Sequence, residues 1–527
     1  MGLSPSRAAV VALLAAVGTR DALGQVARGE PACAALRQLQ LPGVSLSEVA
    51  AEWFAPGAPP PQEPPWVPPL AVKLPGYCRL SATLDRRSGA DGKSYGIGFA
   101  LALPAEWNGR FLFQGGGGLN GSVAAPLGRT GQGDAALARG FAVVTTDTGH
   151  RGEVFDASFM ADQQASLDFA YQAVGRVAVL AKQVVALHYG RPAAHAYFMG
   201  CSTGGREGML MAERYPTYFD GIVVGAPAMR THFSGIGDEW VATALNRLAL
   251  DVSGTPEARR ALSDADRKAV VDGLLAACDD KDGVRDGIVS DPVGCRFDPA
   301  SVSCPSQPKT EGCLSGQQVD GLKRAFAGPK DSRGRQVYAP FPFDTGIAAT
   351  QGIPGLLSGS VNPVGPPFTA TEMNVDERVE RALADPQMAL TSTSGWTNLG
   401  TFAAHGGKLV FFHGVSDPWF SALDTVDYYR RMGQANGGAS AVAGWSRLFL
   451  VPGMGHCGGG PATLDTFDML GAVVDWVESQ KAPEAIRATG RSWPGRSRPL
   501  CPYPSHAHYK GTGDVEDAAS FECRPPS

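Results

Sequence analysis

The chain has 527 residues, of which 44% are hydrophobic and 18% charged, and its formal net charge is −5. A chain of this length and apolar content can bury a large core, which excludes disorder over most of its length. The small negative charge predicts no nucleic-acid partner and no binding to anionic membrane surfaces. A single core rarely exceeds about 300 residues, so we expect one large domain with an insertion, or two domains.

Residues 1–24 have the pattern of a secretory signal peptide. Arg7 supplies a positive charge, residues 8–18 form an apolar run too short to span a membrane, and Ala22-Leu23-Gly24 places small residues before Gln25. The alternative is a buried N-terminal helix. No later segment approaches the roughly 18 uncharged apolar residues that a transmembrane helix needs. The sequence therefore predicts a secreted or periplasmic protein.

Strand and helix patterns alternate in two stretches of the chain. In the first stretch, strands are predicted at 95–103, 110–114, 141–146, 196–199 and 221–224, with helices at 167–188 and 205–215. In the second, the predicted strands are 408–413 and 447–451, and the predicted helices are 422–432 and 466–479. Such alternation predicts a mostly parallel α/β sheet.

Between these stretches, residues 229–391 lose the alternation and become charged and rich in glycine and proline. We therefore expect a core in two parts, residues 25–228 and 392–527, with residues 229–391 inserted between them as a lid domain.

A serine lies in a motif typical of nucleophilic catalysis. Residues 200–204 read Gly-Cys-Ser-Thr-Gly, which fits G-x-S-x-G, and they fall between a predicted strand and a predicted helix. This is the context of a nucleophile elbow, where glycines allow a turn too sharp for bulky side chains. The sequence therefore predicts Ser202 as a nucleophile.

Such a serine needs a histidine base and a carboxylate that orients the histidine. In α/β hydrolases the acid and then the histidine follow the serine along the chain. Asp417 and His456 each follow a predicted strand, and open α/β sheets place their sites at such strand ends. Either residue alone is better explained as an ordinary loop residue. Together with Ser202 they predict a Ser-His-Asp triad on an α/β-hydrolase core with a large inserted lid domain.

The oxyanion of an ester-cleaving enzyme needs two backbone N–H donors. The residue after the nucleophile, Thr203, is expected to supply one. The glycine-rich segment 114–118 follows a predicted strand, as the second donor loop of this fold does, and is expected to supply the other. The alternative for this segment is a flexible linker.

Ten cysteines behind a predicted signal peptide indicate disulfides formed in an oxidising compartment. Spacing alone does not select among the many possible pairings. Short intervening loops favour three pairs, and a fourth would hold the N-terminal segment: Cys278–Cys295, Cys304–Cys313, Cys501–Cys523 and Cys33–Cys78. Cys201 and Cys457 remain, beside Ser202 and His456, and a disulfide between them would hold the nucleophile near the base.

Residues 278–288 concentrate aspartates and glycines in a short segment. Carboxylate and carbonyl oxygens in a tight loop suit Ca²⁺. The flanking cysteines would make the loop rigid. The alternative is a solvated acidic turn.

These features resemble the tannase/feruloyl esterase family of secreted α/β hydrolases. The resemblance lies in the Cys-Ser and His-Cys motifs of residues 200–205 and 455–457, in the acidic loop and in residues 498–504. It implies a serine esterase that hydrolyses esters of aromatic acids of the feruloyl, galloyl or terephthaloyl type, with a small-molecule substrate, a structural Ca²⁺ and no organic cofactor.

The resemblance also implies roles for individual residues. Gly118 and Thr203 would form the oxyanion hole, and Phe420, next to Trp419, would contact the substrate ring. The Ca²⁺ ligands would be the side chains of Asp279, Asp282 and Asp286 and the backbone oxygens of Val284 and Ile288.

Three other functions are compatible with the sequence. One is an esterase specific for terephthalate monoesters. A second is a non-catalytic binding protein on a hydrolase scaffold. A third is a thiol–disulfide redox protein that uses Cys201, although no C-x-x-C motif is present. The sequence predicts no particular oligomeric state.

Overall fold

A nine-stranded β-sheet forms the centre of the molecule. The computed structural model describes residues 29–61, 69–131, 134–306, 309–354 and 368–526. The predicted signal peptide, residues 1–24, lies outside the described residues.

The strands in chain order are β1 (Leu46–Phe54), β2 (Tyr77–Ser88), β3 (Ser94–Pro104), β4 (Arg110–Gln114), β5 (Arg129–Gly131), β6 (Asp134–Ala135), β7 (Ala142–Thr146), β8 (His195–Cys201), β9 (Gly221–Gly225), β10 (Lys408–Gly414), β11 (Ser446–Val451), β12 (Ile486–Thr489), β13 (Ser497–Leu500), β14 (His506–Tyr509) and β15 (Phe521–Arg524). The order in the central sheet is β1-β2-β3-β7-β4-β8-β9-β10-β11. The other strands form three two-stranded sheets, β5-β6, β12-β13 and β14-β15.

The helices are α1 (Glu30–Ala35), α2 (Gln163–Leu167), α3 (Ala173–Tyr189), α4 (Thr203–Arg214), α5 (Thr231–Ser253), α6 (Asp264–Cys278), α7 (Gly316–Phe326), α8 (Val375–Ala384), α9 (Pro386–Thr391), α10 (Gly400–Ala404), α11 (Ala422–Ala435), α12 (Ala439–Val442) and α13 (Met469–Ser479). In the part of the chain that the structure describes, no helix is both long and apolar enough to cross a membrane.

The central strands are buried on both faces, and successive residues contribute to different cores. In β4, Phe111 and Phe113 join a cluster with residues of α3, α4 and α11, whereas Leu112 joins a cluster with residues of α13. Side chains alternate between the two faces of a strand, so this pattern requires helices on both sides of the sheet. The predicted α/β sheet is therefore confirmed.

The sheet is larger and more mixed than the sequence predicts. From β7 to β11 all neighbours are parallel, but β1, β2 and β3 extend the other edge as antiparallel neighbours. Strands β1 and β2 are not predicted from the sequence. Residues of β1 are mostly half-exposed or exposed, and ion pairs such as Arg79–Glu52 lie on its outer surface, so hydrophobic alternation is weak there.

The helix predicted at 167–188 is divided in the structure. Residues 163–167 form α2, residues 168–172 form a single π-helical segment, and α3 follows. The remaining predicted helices are present as α4, α11 and α13, with ends that differ by a few residues.

The chain between β9 and β10 carries the helices α5 to α10. Part of this insertion has its own apolar cluster, in which residues of α5 such as Leu245 pack with residues of α7 such as Leu322. The proposed boundaries of a lid domain at residues 229 and 391 stay a prediction.

All ten cysteines are paired in the structure, and the pairs are those that the sequence analysis favours. They are Cys33–Cys78, Cys201–Cys457, Cys278–Cys295, Cys304–Cys313 and Cys501–Cys523.

Candidate active site

Ser202 occupies a sharp turn between β8 and α4. Its backbone angles are φ 64° and ψ −123°, a conformation that L-residues rarely adopt and that costs about 1–3 kcal/mol. The turn is held by hydrogen bonds from the Ser202 N–H to Gly225 O and from the Ala228 N–H to Ser202 O, both 3.0 Å long. The Ser202 side chain is therefore presented at the carboxyl edge of the sheet, as in a nucleophile elbow.

Close backbone contacts explain why glycine occurs at the fifth position of this motif. A Cβ atom on Gly204 would lie 2.6 Å from Gly116 O and 3.0 Å from Gly115 C. Any side chain at residue 204 would force the segment after β4 away from the elbow. The glycine thus allows this segment to pack directly against the start of α4.

The predicted acid and base are in direct contact. Asp417 follows β10, His456 follows β11, and His456 Nδ1 lies 2.7 Å from Asp417 Oδ2. The other carboxylate oxygen accepts hydrogen bonds from the N–H groups of Trp419 at 2.9 Å and Phe420 at 3.1 Å. Because a carboxylate can only accept, the proton of His456 is on Nδ1, and Nε2 can accept a proton.

A second histidine, which the sequence analysis missed, also contacts the acid. His413 is fully buried on β10, and its Nε2 lies 3.3 Å from Asp417 Oδ2 and 3.0 Å from Phe420 O. Its Nδ1 lies 2.8 Å from Thr425 Oγ1. These contacts fix the loop that carries Asp417. The signal available in the sequence was only a histidine at the end of a predicted apolar strand.

The surroundings of Asp417 keep it ionised. Burial by itself would raise the pKa of this carboxyl, but the electrostatic attraction of the adjacent His456 and the hydrogen bonds from His413 and His456 outweigh burial and hold the pKa well below its usual range. An ionised Asp417 can stabilise the imidazolium that forms when His456 takes a proton.

The Nε2 atom of His456 is buried and, among the described residues, has no hydrogen-bond partner. Aromatic rings enclose the imidazole: the Trp419 ring centroid lies 4.7 Å away and that of Phe420 lies 5.2 Å away. Buried polar atoms are nearly always hydrogen-bonded in folded proteins, so an unpaired accepting nitrogen is a feature of a functional site.

The disulfide Cys201–Cys457 joins the residue before Ser202 to the residue after His456. Its Cα atoms are 5.9 Å apart, although 256 positions separate the two residues in sequence. The structure therefore links the elbow covalently to the histidine loop, as the sequence analysis predicts.

The glycine-rich segment after β4 lies against the start of α4. The Gly204 N–H donates to Gly116 O at 3.0 Å, and the Thr203 hydroxyl donates to Gly118 O. Gly118 has φ +56°, and a Cβ atom there would lie 2.6 Å from Val154 O. This packing excludes the flexible-linker alternative for the glycine run. The first N–H groups of a helix have no acceptor within the helix, so the N–H of Thr203, the first residue of α4, can donate to a group that binds beside Ser202.

A further loop, which the sequence analysis missed, borders the site. The Leu119 N–H donates to Val154 O at 2.9 Å, and the Phe155 ring meets the Trp419 ring edge-on with centroids 6.1 Å apart. The Val154 residue is 50% exposed. Two adjacent apolar residues within the polar stretch 151–158 were the only available signal in the sequence.

The three aspartates predicted to bind calcium are buried or half-buried near one another, but each already has hydrogen-bond donors. Asp279 accepts from the N–H groups of Asp286 and Gly287, and Asp282 accepts from the Val284 N–H and the Ser290 hydroxyl.

Asp286 accepts from Arg498 at 2.5 Å and 2.9 Å and from the Ile288 N–H at 3.0 Å. In the parts of the chain that the structure describes, no group of three or more His, Cys, Asp or Glu is placed to hold a metal ion. The donor chemistry of the loop suits calcium, but its side chains are arranged for hydrogen bonds, so calcium binding stays a prediction.

The sequence and the fold are both similar to those of known esterases. A family model described as tannase and feruloyl esterase matches residues 81–357 and 358–524. The mono(2-hydroxyethyl) terephthalate hydrolase of Piscinibacter sakaiensis is 40% identical in an alignment that covers 86% of this chain and 86% of that protein. A probable feruloyl esterase of Arthroderma benhamiae is 31% identical, with 97% of this chain and 96% of that protein covered.

Among solved structures, feruloyl esterase B from Aspergillus oryzae superimposes with a TM-score of 0.75 at 25% sequence identity. The match covers 94% of this chain and 99% of that structure. The similarity therefore includes both the central sheet and the insertion.

We expect the double substitution Cys201→Ala/Cys457→Ala to lower kcat for ester hydrolysis about a hundredfold, because a misplacement of about 1 Å between reacting groups can have that effect. The far-UV circular dichroism spectrum should stay that of the folded protein. Cys304→Ala/Cys313→Ala is the matched control, because it removes a disulfide of the insertion and should leave kcat unchanged. Wild-type activity in the first variant would show that the Cys201–Cys457 disulfide does not position the site, and free thiols at 201 and 457 in non-reducing peptide mapping of the wild-type protein would show that it does not form.

Proposed function

The chain belongs to the tannase and feruloyl esterase family and is a carboxylic ester hydrolase with an α/β-hydrolase fold, and we propose that it hydrolyses esters of single-ring aromatic acids through a covalent intermediate on Ser202. The observation that carries this proposal is the Asp417–His456 pair, in which His456 Nε2 is buried and unpaired among the described residues. The Cys201–Cys457 disulfide links the loop of this histidine to the serine turn.

In the first half of the reaction, Ser202 Oγ attacks the ester carbonyl carbon and His456 Nε2 takes the hydroxyl proton. The carbonyl oxygen becomes an oxyanion, which accepts hydrogen bonds from the N–H groups of Gly118 and Thr203. The tetrahedral intermediate then collapses. The bond to the alcohol oxygen breaks, His456 returns its proton to that oxygen, and an acyl group remains on Ser202.

In the second half, a water molecule takes the place of the alcohol. His456 Nε2 accepts a proton from this water, whose oxygen attacks the acyl carbon and again forms an oxyanion at the same two N–H groups. Collapse breaks the bond to Ser202 Oγ, and His456 returns the proton to the serine. The products are the free acid and the alcohol, and Asp417 stabilises the imidazolium in both halves.

The aromatic side chains around His456 support an aromatic acyl group. Trp419 and Phe420 pack on the imidazole, and Phe155 extends the same apolar surface from the neighbouring loop. Aromatic rings pack well against one another, edge-on or offset, so these side chains favour a planar ring over a short aliphatic chain. The named relatives that act on aromatic esters support the same substrate class.

A secreted or periplasmic location is part of the proposal. Five disulfides would not persist in a reducing cytosol, and residues 1–24 have the pattern of a signal peptide.

We also propose that the loop 279–288 binds Ca²⁺ as a structural ion, with the side chains of Asp279, Asp282 and Asp286 and the backbone oxygens of Val284 and Ile288 as ligands. Burial raises the pKa of Asp282 to about 6, and the charges of Asp286 and Asp279 also favour the protonated form. A bound cation would relieve this repulsion between nearby carboxylates, with Arg498 neutralising only part of the charge.

We expect Ser202→Ala to abolish hydrolysis of any aromatic ester while the thermal unfolding curve stays close to that of the wild type, since only the attacking oxygen is lost. The matched control is Ser122→Ala, another serine near the glycine-rich segment, which should keep wild-type kcat. Residual turnover of Ser202→Ala with wild-type burst kinetics would contradict the nucleophile assignment.

The substrate class is tested by kcat/KM for methyl ferulate, a gallate ester, mono(2-hydroxyethyl) terephthalate and ethyl butyrate, measured side by side. We expect ethyl butyrate to be at least about tenfold poorer than the best aromatic ester, because an apolar pocket gains about 1–3 kcal/mol per well-packed group. Phe155→Ala should reduce this advantage, whereas Leu187→Ala, at an exposed position on α3, should not.

Equal rates for ethyl butyrate and the best aromatic ester would contradict the aromatic pocket. A preference of about a thousandfold for the terephthalate monoester would instead establish the narrower specificity as the correct one.

Calcium binding is tested by the thermal unfolding midpoint of chelator-treated protein with and without added Ca²⁺. A ligand at a hundred times its Kd stabilises the folded state by about 2.7 kcal/mol, so the midpoint should rise by several degrees. Asp282→Asn should remove this rise. Asp280→Asn is the matched control, because Asp280 lies in the same loop but pairs with Arg285 on the surface. An unchanged midpoint in the wild-type protein would contradict the calcium site.

A further inference from the structure

A buried carboxylate that the proposed reaction does not use lies beneath the glycine-rich segment. Glu207 is on α4, five residues after Ser202, and is 0% exposed. Its Oε2 accepts a hydrogen bond from the Gly116 N–H at 3.0 Å, and its Oε1 accepts one from Asn120 Nδ2 at 2.9 Å. Burying a carboxylate is costly unless its partners are specific, so its position needs an explanation.

The neighbouring Arg206 does not supply that explanation. Its guanidinium donates to Phe169 O and Ala170 O, and thus holds the segment before α3. Burial raises the pKa of Glu207, and the charge of Arg206 and the hydrogen bonds from Gly116 and Asn120 oppose that rise. The direct hydrogen-bond partners of the Glu207 carboxylate both belong to the segment 116–120.

These two contacts lie on either side of Gly118. Asn120 has φ 57°, its N–H donates to Gly117 O at 2.9 Å, and its amide packs so closely on Gly116 that a Cβ atom there would overlap it. Glu207 therefore holds both ends of a tight turn whose middle residue is Gly118.

The same helix fixes this turn at two further points, through the Gly204 N–H to Gly116 O and the Thr203 hydroxyl to Gly118 O. Glu207 is the member of this set that contacts the turn on both sides of Gly118, because each of its two carboxyl oxygens accepts one hydrogen bond from it.

We propose that Glu207 is a positioning residue for the oxyanion hole: through Gly116 and Asn120 it fixes the Gly118 N–H at the place where the substrate oxyanion forms, next to the N–H of Thr203. This inference rests on the proposed function, because it assumes that the oxyanion lies between those two groups. It assigns Glu207 no contact with the substrate.

The first test is Glu207→Ala, measured as kcat and KM with an aromatic ester. Because the oxyanion forms only after attack, we expect kcat to fall about 10- to 100-fold, with KM within about threefold of the wild type. Titration with a fluorophosphonate that labels active serines gives the fraction of competent sites. The decrease should persist when the rate is expressed per competent site, which a merely unstable protein would not show.

Glu213→Ala is the matched control. Glu213 is on the same helix and its Oε1 is also buried, but in the described part of the chain no hydrogen bond joins it to residues 115–120. We expect this variant to change the thermal unfolding midpoint but not kcat per competent site.

The conservative variant Glu207→Gln should retain kcat within about threefold. The amide oxygen of this glutamine can accept from the Gly116 N–H. Asn120 Oδ1 is buried and has no partner among the described residues. If the Asn120 amide turns over, this oxygen faces residue 207 and accepts a hydrogen bond from the glutamine NH₂ group. Should Glu207→Ala fail to fold, Asn120→Asp provides an alternative test.

Asn120→Asp places two carboxylates together and should lower kcat, and Asn120→Asp/Glu207→Gln should restore it. A folded Glu207→Ala with wild-type kcat, or a double variant no better than Asn120→Asp, would overturn the inference. Ser202→Ala separates the two proposals: if it is inactive while Glu207→Ala is fully active, only the role of Glu207 is wrong.

Discussion

The hydrogen bond between Asp417 and His456 is the interaction on which the candidate site depends. Asp417 is only 2% exposed, and an ionised carboxylate at such a place is stable only because donors surround it. Its four donors are the two histidines and the two N–H groups that follow it in the loop. The same contact places the proton of His456 on Nδ1 and so leaves Nε2 able to accept a proton from a nucleophile.

The order of the strands determines how far the histidine loop must reach to bring His456 Nε2 to the serine turn. Strands β10 and β11 are neighbours, so the loops that carry Asp417 and His456 meet directly. Strand β8, which carries the serine turn, is three positions away from β11 in the sheet, or roughly 14 Å at the usual strand spacing. The loop after β11 must cross this distance, and the Cys201–Cys457 disulfide, with Cα atoms 5.9 Å apart, fixes its far end. The donor segment after β4 needs no such link, because β4 is next to β8.

Much of this site could be predicted because each residue follows a recognisable strand. Ser202 lies in a glycine motif between a strand and a helix, Asp417 and His456 follow apolar strands, and Cys201 and Cys457 are adjacent to Ser202 and His456. The antiparallel edge formed by β1 and β2 could not be predicted, because backbone pairing with neighbouring strands defines these strands and hydrophobic alternation does not.

The parts of the site that the sequence does not predict have one physical cause in common, which is packing between distant segments. Phe155 borders the site because Val154 packs on Gly118, and Glu207 is buried because a segment about 90 positions earlier in the chain folds over it. Neither position has a local pattern that indicates its partner. In the acidic loop, a local pattern exists but a distant residue changes its meaning. The composition of the loop suits a cation, yet Arg498, 212 positions after Asp286, already supplies positive charge from a distant strand. Tertiary contacts of this kind cannot be derived from spacing within one segment.

The most direct test of the central claim is the location of the covalent intermediate. The protein would be mixed with an activated aromatic ester, quenched in acid during steady-state turnover, digested and examined by mass spectrometry. The account predicts an acyl group on Ser202, in the peptide that contains Cys201, and no such adduct when His456→Ala is treated in the same way. An acyl group on another residue, or turnover at the wild-type rate without any acylated peptide, would contradict it.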